Sequence, residues 1–308
     1  MKRHVLSAFA ALAMVAWAAC AVFVSAPARA QDAGASGSAT LARVMQAGVL
    51  KVGVNPLFKP FSFVKDGKRV GVDADIAALL AKKLGVKLQL VAPKSFGELI
   101  PLLRAGEIDV IMAGMSITFD RARVVDFTDP YFETGLSIMA NKGRLAKLGV
   151  ALVKDEETLV KRLKANGRIS RLKVAVTAGK APERFVPRYF PGAQVVSFPS
   201  NEAAAEAVLK GEADIMVHDE MFLKVWLHDN AKKAQYVVEV FEKPFKPDYY
   251  GFAVAKGNLD FVHMLDTFIL AELKANGRIM EFMSRYIPVK AQVSVRSLDI
   301  TEDYYGGD

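Results

Sequence analysis

The sequence predicts an α/β fold built from two similar lobes that share one cleft. The main observation is a helix–turn–strand unit that occurs twice, over residues 98–114 and again over 202–219. Each copy has a helical stretch, a Gly-Glu-x-Asp turn and a short apolar strand that ends in small or polar residues. Because ligands of open α/β sheets bind beyond the carboxyl ends of the strands, two such units predict two lobes that face one site. A common module used twice without a shared site is the alternative.

The first thirty residues predict a secretory signal peptide, and therefore a periplasmic protein. They contain a basic start, a mostly apolar run over 5–24 and an Ala-Arg-Ala cleavage sequence at 28–30. An uncleaved membrane anchor is one alternative. Lipidation at Cys20 is another, but the residues before this cysteine lack the expected Leu-type residue. Residues 31–40, rich in Gly, Ser and Ala, predict a flexible leader.

The composition of the remaining chain excludes several classes of protein. It has no cysteine, so its stability must come from a core, and its length of about 278 residues suits two domains. The net charge of the whole chain is +8, but the lysines and arginines are scattered, which does not favour nucleic-acid binding. With three histidines left and no cysteine, neither a metal site nor a cofactor is expected. We expect a monomer.

The hydrophobic pattern places strands and helices alternately along the chain. Two extended crossings between the lobes, near 137–141 and 244–250, predict a hinge. The expected strands are 49–54, 87–91, 136–140, 173–176, 194–198, 213–217 and 249–255. The expected domains are lobe 1 over 41–138 plus 250–288, lobe 2 over 142–245, and a C-terminal tail over 289–308 to which the sequence assigns no role.

The first repeated strand leads into a segment with groups suited to binding a carboxylate. Gly114 permits close backbone approach, and the Ser116 hydroxyl can donate or accept a hydrogen bond. Arg121 offers a planar fork that matches a carboxylate in bidentate fashion. The alternative is a surface ion pair of Arg121 with Asp120 or Asp126.

Six motifs in order resemble the periplasmic solute-binding proteins of the polar amino-acid type, bacterial extracellular solute-binding protein family 3. The resemblance covers residues 41–288. It implies a two-lobed flytrap that closes on a small ligand and delivers it to an inner-membrane ABC permease. The motifs are Gly48–Val54, Pro60–Phe63, Gly71–Asp75, Gly114–Arg121, Val125–Tyr131 and His218-Asp219.

The resemblance also implies roles for individual residues. Arg121 would bind the α-carboxylate of the ligand, assisted by Ser116 and Gly114, and Asp219 would bind the α-ammonium. Because these two charged residues belong to different lobes, an α-amino acid would bridge them only when the cleft closes.

The aromatic walls that pack on the ligand would be Phe58 and Phe96, with core packing as the alternative. Phe61 is expected in the core. His218 is expected to lie behind the ligand site rather than to contact the ligand.

The sequence departs from the family pattern at three places, one of which is Val72, where relatives carry an aromatic or larger aliphatic residue. Asn55 stands where some relatives carry an acid that contacts the ligand side chain, so the sequence does not assign a cationic ligand. The second-lobe loop over 179–182 lacks the hydroxyl residues of relatives: Ala181 has no hydroxyl and Pro182 has no backbone donor. Lys180 is expected to be solvated, although its charge could replace the lost hydroxyl.

Two alternative functions remain open. Cyclohexadienyl dehydratases resemble this family, and Glu183 falls at the position of their catalytic glutamate, but the expected Thr-Asn pair before it is Ala181-Pro182 here. A solvated acid at a helix start is the simpler interpretation of Glu183. The other alternative is a sensor or accessory protein that passes its ligand to another protein. Import of a small amino acid or related carboxylate is the function that the sequence favours, and we expect a binding protein rather than an enzyme.

Overall fold

A computed structural model of the chain describes residues 38–287. The predicted signal peptide and the predicted tail over 289–308 therefore lie outside the described residues. Ser38 caps the first helix, since its hydroxyl accepts a hydrogen bond from the Leu41 amide. That helix begins at Ala39, inside the segment that was expected to be a flexible leader. In the described part of the chain, no helix is both long and apolar enough to span a membrane.

The described elements alternate between strands and helices. The strands are β1 (Val49–Gly53), β2 (Phe63–Lys65), β3 (Lys68–Val70), β4 (Lys87–Val91), β5 (Val110–Ile111), β6 (Val125–Phe127), β7 (Phe132–Asn141), β8 (Lys173–Thr177), β9 (Gln194–Phe198), β10 (Ile215–Asp219), β11 (Val238–Val240), β12 (Lys246–Tyr250) and β13 (Ala253–Ala255).

The helices lie between these strands and at both ends of the described range. They are α1 (Ala39–Ala47), α2 (Val72–Leu84), α3 (Leu99–Arg104), α4 (Phe119–Ala122), α5 (Lys142–Lys147), α6 (Glu156–Ala165), α7 (Ala181–Tyr189), α8 (Asn201–Lys210), α9 (Glu220–Asp229), α10 (Ala231–Ala234), α11 (Leu259–Phe268) and α12 (Arg278–Tyr286). A π-helical stretch, Ile269–Lys274, continues α11.

Eleven of the described strands form two sheets with the same parallel core, and β2 and β3 pair with each other in a separate hairpin. The first sheet has the order β4-β1-β5-β13-β6, and β1 is parallel to both β4 and β5. In the second sheet β8 is likewise parallel to β9 and β10, while β7 joins antiparallel to β10. The repeated strands β5 and β10 thus hold equivalent places, which confirms the prediction of a two-lobed α/β fold.

The chain crosses between the sheets at two points that differ from those expected. It leaves the first sheet after Phe127 and returns to it at Ala253. The expected crossings, 137–141 and 244–250, lie within the second sheet because β7 is ten residues long and its first half pairs with β12. Phe132 and Tyr250 face each other in this pair, next to both crossings.

The aspartates of the two Gly-Glu-x-Asp turns have the same structural role. Asp109 is buried, accepts a hydrogen bond from the Lys51 amide at 2.7 Å and pairs with Arg43. Asp214 is buried, accepts one from the Lys173 amide at 2.8 Å and pairs with Arg144. Each carboxylate therefore fastens a repeated turn to a neighbouring strand of its own sheet, β1 for Asp109 and β8 for Asp214.

The second repeated strand also ends later than predicted. The sequence predicted a strand over 213–217, but β10 runs from Ile215 to Asp219 and all five of its residues are buried. The strand thus carries His218 and Asp219 to its carboxyl end, opposite the segment that follows β5.

Candidate functional site

A small polar cavity lies between the two sheets, at the carboxyl ends of the repeated strands. Its volume, about 10 Å³ for the centre of a water-sized sphere, is close to the least that holds one water molecule. The cleft is therefore closed. Its lining residues are Phe96, Gly114, Ser116, Arg121, Leu136, Lys180, Ala181, Pro182, His218, Asp219, Asp248 and Tyr250.

Arg121 reaches across the cleft from the first lobe. It lies on α4, whose first turn is capped by the Thr118 hydroxyl, and its side chain is buried. The guanidinium donates hydrogen bonds to the backbone carbonyl of Ser116 at 2.9 Å and to that of Gly179 at 3.1 Å. Burial lowers the pKa of Arg121 to about 10, so the group is charged at neutral pH.

The expected alternative, a surface ion pair of Arg121, is wrong. Asp126 pairs with Lys256 at 2.6 Å. Asp120 pairs instead with Arg184 at 2.8 Å, across the cleft. Neither carboxylate is thus available to Arg121.

Backbone and charged contacts hold the two lobes together. A second ion pair between them joins Lys59 to Asp229 at 2.5 Å. A Cβ atom built on Gly179 would lie 3.3 Å from the Cα of Gly97. Two glycines thus allow the backbones of the two lobes to approach closely beside the cavity.

Asp219 lies opposite Arg121, at the junction of β10 and α9. One carboxylate oxygen caps α9 by accepting a hydrogen bond from the Phe222 amide at 3.0 Å. The other accepts a hydrogen bond from the Thr134 hydroxyl. Burial raises the pKa of Asp219 to about 6, while its hydrogen bonds, including one from Tyr250, act in the opposite direction.

Ser116 and Gly114 both line the cavity, as expected, but the Ser116 hydroxyl is already engaged. It donates to Asp248 at 2.8 Å, and Asp248 is buried on β12. Gly114 has a φ of +55°, and a Cβ atom there would lie 2.5 Å from a ring carbon of Phe58. Only glycine fits this turn, which brings the backbone close to the cavity.

Asp248 and Tyr250 are cavity residues that the sequence reasoning missed. They alternate with exposed neighbours along β12, so their side chains lie on one face of the strand. The alternation of polar and aromatic residues just before Gly251 was the signal that could have identified them. Burial raises the pKa of Asp248 and raises that of Tyr250 well above its usual value.

Lys180 is buried, and the expectation that it would be solvated is wrong. Its ammonium lies 4.1 Å from the ring centre of Phe58 and 4.5 Å from that of Phe96. Phe58 does not line the cavity itself, but its ring and that of Phe96 together enclose the Lys180 ammonium. Burial, and then the charge of Arg121, lower the pKa of Lys180 to about 7.

The other expected residues divide between the cavity and its surroundings. Ala181 lines the cavity. Asn55 does not; its side chain accepts from the Leu57 amide at 3.2 Å and donates to the Ala113 carbonyl at 3.5 Å, which fixes the loop after β1. His218 lines the cavity and packs against the ring of Phe222, and burial lowers its pKa well below 6.5.

Glu183 does not line the cavity. Its carboxylate accepts hydrogen bonds from the Gly179 amide at 2.9 Å and from the Ser197 hydroxyl at 2.5 Å. It therefore fixes the loop before α7. Over residues 38–287, no group of His, Cys, Asp and Glu side chains is arranged to hold a metal ion.

Two α/β lobes closed over a small charged cavity are the architecture of a solute-binding protein. The chain belongs to the bacterial extracellular solute-binding proteins, family 3, whose family model matches residues 50–289. This confirms the resemblance inferred from the six motifs.

Individual relatives bind different ligands, and one is an enzyme. The glutamine-binding protein of an ABC transporter of Bacillus subtilis (strain 168) is 30% identical over 72% of this chain and 74% of its own. The cyclohexadienyl dehydratase of Pseudomonas aeruginosa is also 30% identical, over 70% of this chain and 71% of its own. A solved structure of an ancestral arginine-binding protein bound to arginine has a TM-score of 0.66 and 32% identity, and the match covers 78% of this chain and 99% of that one.

Proposed function

We propose that this protein captures a small amino acid, or a related carboxylate, outside the cytoplasmic membrane and delivers it to an ABC permease. Arg121 binds the α-carboxylate and Asp219 the α-ammonium. The observation that carries the proposal is the placement of these two buried, oppositely charged groups at one cavity between the lobes. We further propose that the protein is exported by its N-terminal signal and acts as a monomer.

The hydrogen bonds of Arg121 support its role in binding a carboxylate. Two of its donors meet the carbonyls of Ser116 and Gly179, and these bonds hold the planar group at the cavity. No carboxylate oxygen of the described residues lies within 4.0 Å of Arg121. The remaining N–H groups of the guanidinium can therefore donate to a ligand carboxylate without first breaking an ion pair.

Ligand binding and lobe closure are one equilibrium in this proposal. Arg121 comes from the first lobe, whereas Asp219 ends a strand of the second sheet. The cavity as it stands holds about one water molecule, so an amino acid needs a wider closed state. Only a closed state places both groups around one ligand, so a ligand with a carboxylate and an ammonium stabilises it. Delivery to the permease then requires reopening.

A dehydratase-like enzyme is the second candidate, and one relative favours it. The position of Glu183 speaks against it, because this residue does not line the cavity and both of its carboxylate oxygens accept hydrogen bonds. We therefore propose a binding protein.

A thermal-shift screen with assays for turnover tests the proposal. The purified protein, freed of co-purified ligand, is mixed with amino acids, dicarboxylates, prephenate and arogenate in turn. A ligand at a hundred times its Kd stabilises the folded state by about 2.7 kcal/mol, so a clear rise in Tm is expected. A ligand that raises Tm and stays intact supports the proposal. Consumption of prephenate or arogenate, lost in Glu183→Gln, would replace it with the dehydratase function.

A further inference from the structure

Lys180 is a buried cation without a partner at the binding cavity. Its side chain is 7% exposed, and its ammonium makes no hydrogen bond to any described residue. Among residues 38–287, no carboxylate oxygen lies within 4.0 Å of the Lys180 ammonium, and Lys180 belongs to none of the ion pairs in this range. An ammonium in such a place is costly unless something compensates its charge.

The acids that line the cavity with Lys180 accept hydrogen bonds from other groups, and Asp219 acts on Lys180 through its charge, which raises the pKa of the lysine. Both oxygens of Asp219 accept hydrogen bonds, from the Phe222 amide and the Thr134 hydroxyl. Both oxygens of Asp248 also accept, from the Ser116 hydroxyl and the Tyr249 amide.

Two further acids act on Lys180 through their charge alone. Asp73 accepts from the Tyr131 hydroxyl at 2.6 Å, and its other oxygen has no partner. One oxygen of Glu202 is buried and likewise has no partner. Arg121 opposes both acids, since its like charge lowers the pKa of Lys180. The protein therefore supplies no direct counter-ion to this ammonium.

The position of Lys180 limits which ligand side chains the pocket can bind. Its ammonium lies between the rings of Phe58 and Phe96, where the resemblance to the family places the ligand-packing walls. A cationic side chain in this pocket would meet the ammonium at short range, with Arg121 also nearby. A carboxylate there would instead complete an ion pair and a charge-assisted hydrogen bond.

We infer that the ligand carries a second carboxylate, which pairs with Lys180. This inference rests on the proposed function, in which Arg121 binds the first carboxylate. The ligand class is an acidic amino acid or a dicarboxylate. The arginine of the ancestral relative does not belong to this class. The two cations of the cavity would bind the two carboxylates, and Asp219 would bind an ammonium where the ligand has one.

Calorimetric titrations of the purified, ligand-free protein test the inference. The probes are L-glutamate, L-aspartate, L-glutamine, L-arginine and 2-oxoglutarate. We expect one of the two acidic amino acids, or 2-oxoglutarate, to bind at least tenfold more tightly than glutamine and arginine. Comparable binding of 2-oxoglutarate would show that the ligand needs no ammonium, whereas a preference for glutamate would show that it does; both outcomes support the second carboxylate.

Lys180→Met isolates the contribution of the ammonium. We expect it to weaken binding of the acidic ligand at least tenfold while changing glutamine binding less than threefold. It should also raise the Tm of the ligand-free protein, because an unpaired buried charge is removed; this readout needs no ligand. The matched control is Lys83→Met, which removes an exposed lysine of an ion pair with Glu272, outside the lining of the cavity, and should preserve the preference for the acid.

Two results would overturn the inference and leave the proposed function standing. One is glutamine or arginine binding as tightly as the acids while still depending on Arg121. The other is Lys180→Met leaving the ratio of acid to amide affinity unchanged. If no amino acid or dicarboxylate binds the wild-type protein, the proposed function falls together with the inference.

Discussion

Replacement of Arg121 by alanine should abolish ligand binding and leave the fold intact. The side chain is buried at the cavity, where its charge is shielded from water. Its guanidinium is held by two backbone carbonyls and makes no ion pair with any acid of residues 38–287. Its removal therefore takes away the proposed ligand contact and not a buried salt bridge of the protein.

The size of the effect follows from the bonds that a carboxylate would form. A hydrogen bond to a charged group contributes about 1.5–3 kcal/mol, and a bidentate pair has two of them. A total of about 3–5 kcal/mol corresponds to a rise in Kd of at least about a hundredfold. The fold loses the bonds to Ser116 and Gly179 and the contact of the guanidinium with the Phe96 ring at 5.3 Å. Relief of the buried charge offsets this loss, so Tm should change by less than about 3 °C.

Isothermal titration with the best ligand, together with a thermal unfolding curve, measures both quantities. Arg121→Lys should give an intermediate Kd because it keeps the charge and loses the fork. Arg184→Ala is the matched control, since it removes an exposed arginine that also joins the lobes; its Kd should stay within about threefold of wild type. A Kd within threefold of wild type for Arg121→Ala would refute the reasoning.

The remaining predictions concern pH, the repeated turn and closure. Because the pKa of Asp219 is raised to about 6 and an ammonium needs its ionised form, affinity for a neutral amino acid such as glutamine should be constant between about pH 7 and 8 and fall about tenfold by pH 5; a flat titration curve down to pH 5 would contradict this. Asp214→Ala leaves two donors, including the Lys173 amide, without their buried acceptor and should cost about 2–3 kcal/mol in urea unfolding; a loss below about 0.5 kcal/mol would be evidence against this role of the carboxylate. Gly179→Ala strains a left-handed backbone and brings a Cβ atom close to Gly97, so it should weaken ligand affinity. Gly257→Ala is equally strained but lies in open space, so it should destabilise the fold and leave Kd unchanged. Equal Kd values for these two glycine variants would contradict the closure contact.

The sequence predicted the lobes because their signals are local. The strand over 87–91 and that over 194–198 match β4 and β9 in both bounds. Apolar runs bounded by glycine and polar residues suffice for such strands. The crossings were misplaced because β7 extends toward its start to pair with β12, and this pairing joins residues more than a hundred positions apart. Local patterns carry no information about such a partner.

The site was predicted in part for the same reason. Arg121, Asp219, Ser116 and Gly114 follow repeated strands, and the structure brings them to one cavity. The burial of Lys180 was missed because it depends on aromatic rings from the opposite lobe.

Asn55 shows the opposite error. Its position after β1 suggested a ligand contact, but its side-chain amide forms hydrogen bonds with backbone groups of its own lobe. Which way a side chain at a strand end points is decided by tertiary packing and not by its place in a motif.

A crystal structure of the protein with its best-binding ligand is the most direct test of the central claim. We predict a closed cleft in which a ligand carboxylate accepts hydrogen bonds from the Arg121 guanidinium. An ammonium, where the ligand has one, should lie within hydrogen-bonding distance of Asp219. A ligand that occupies the cleft without contacting Arg121, or that binds on another surface, would contradict the proposed mode of binding.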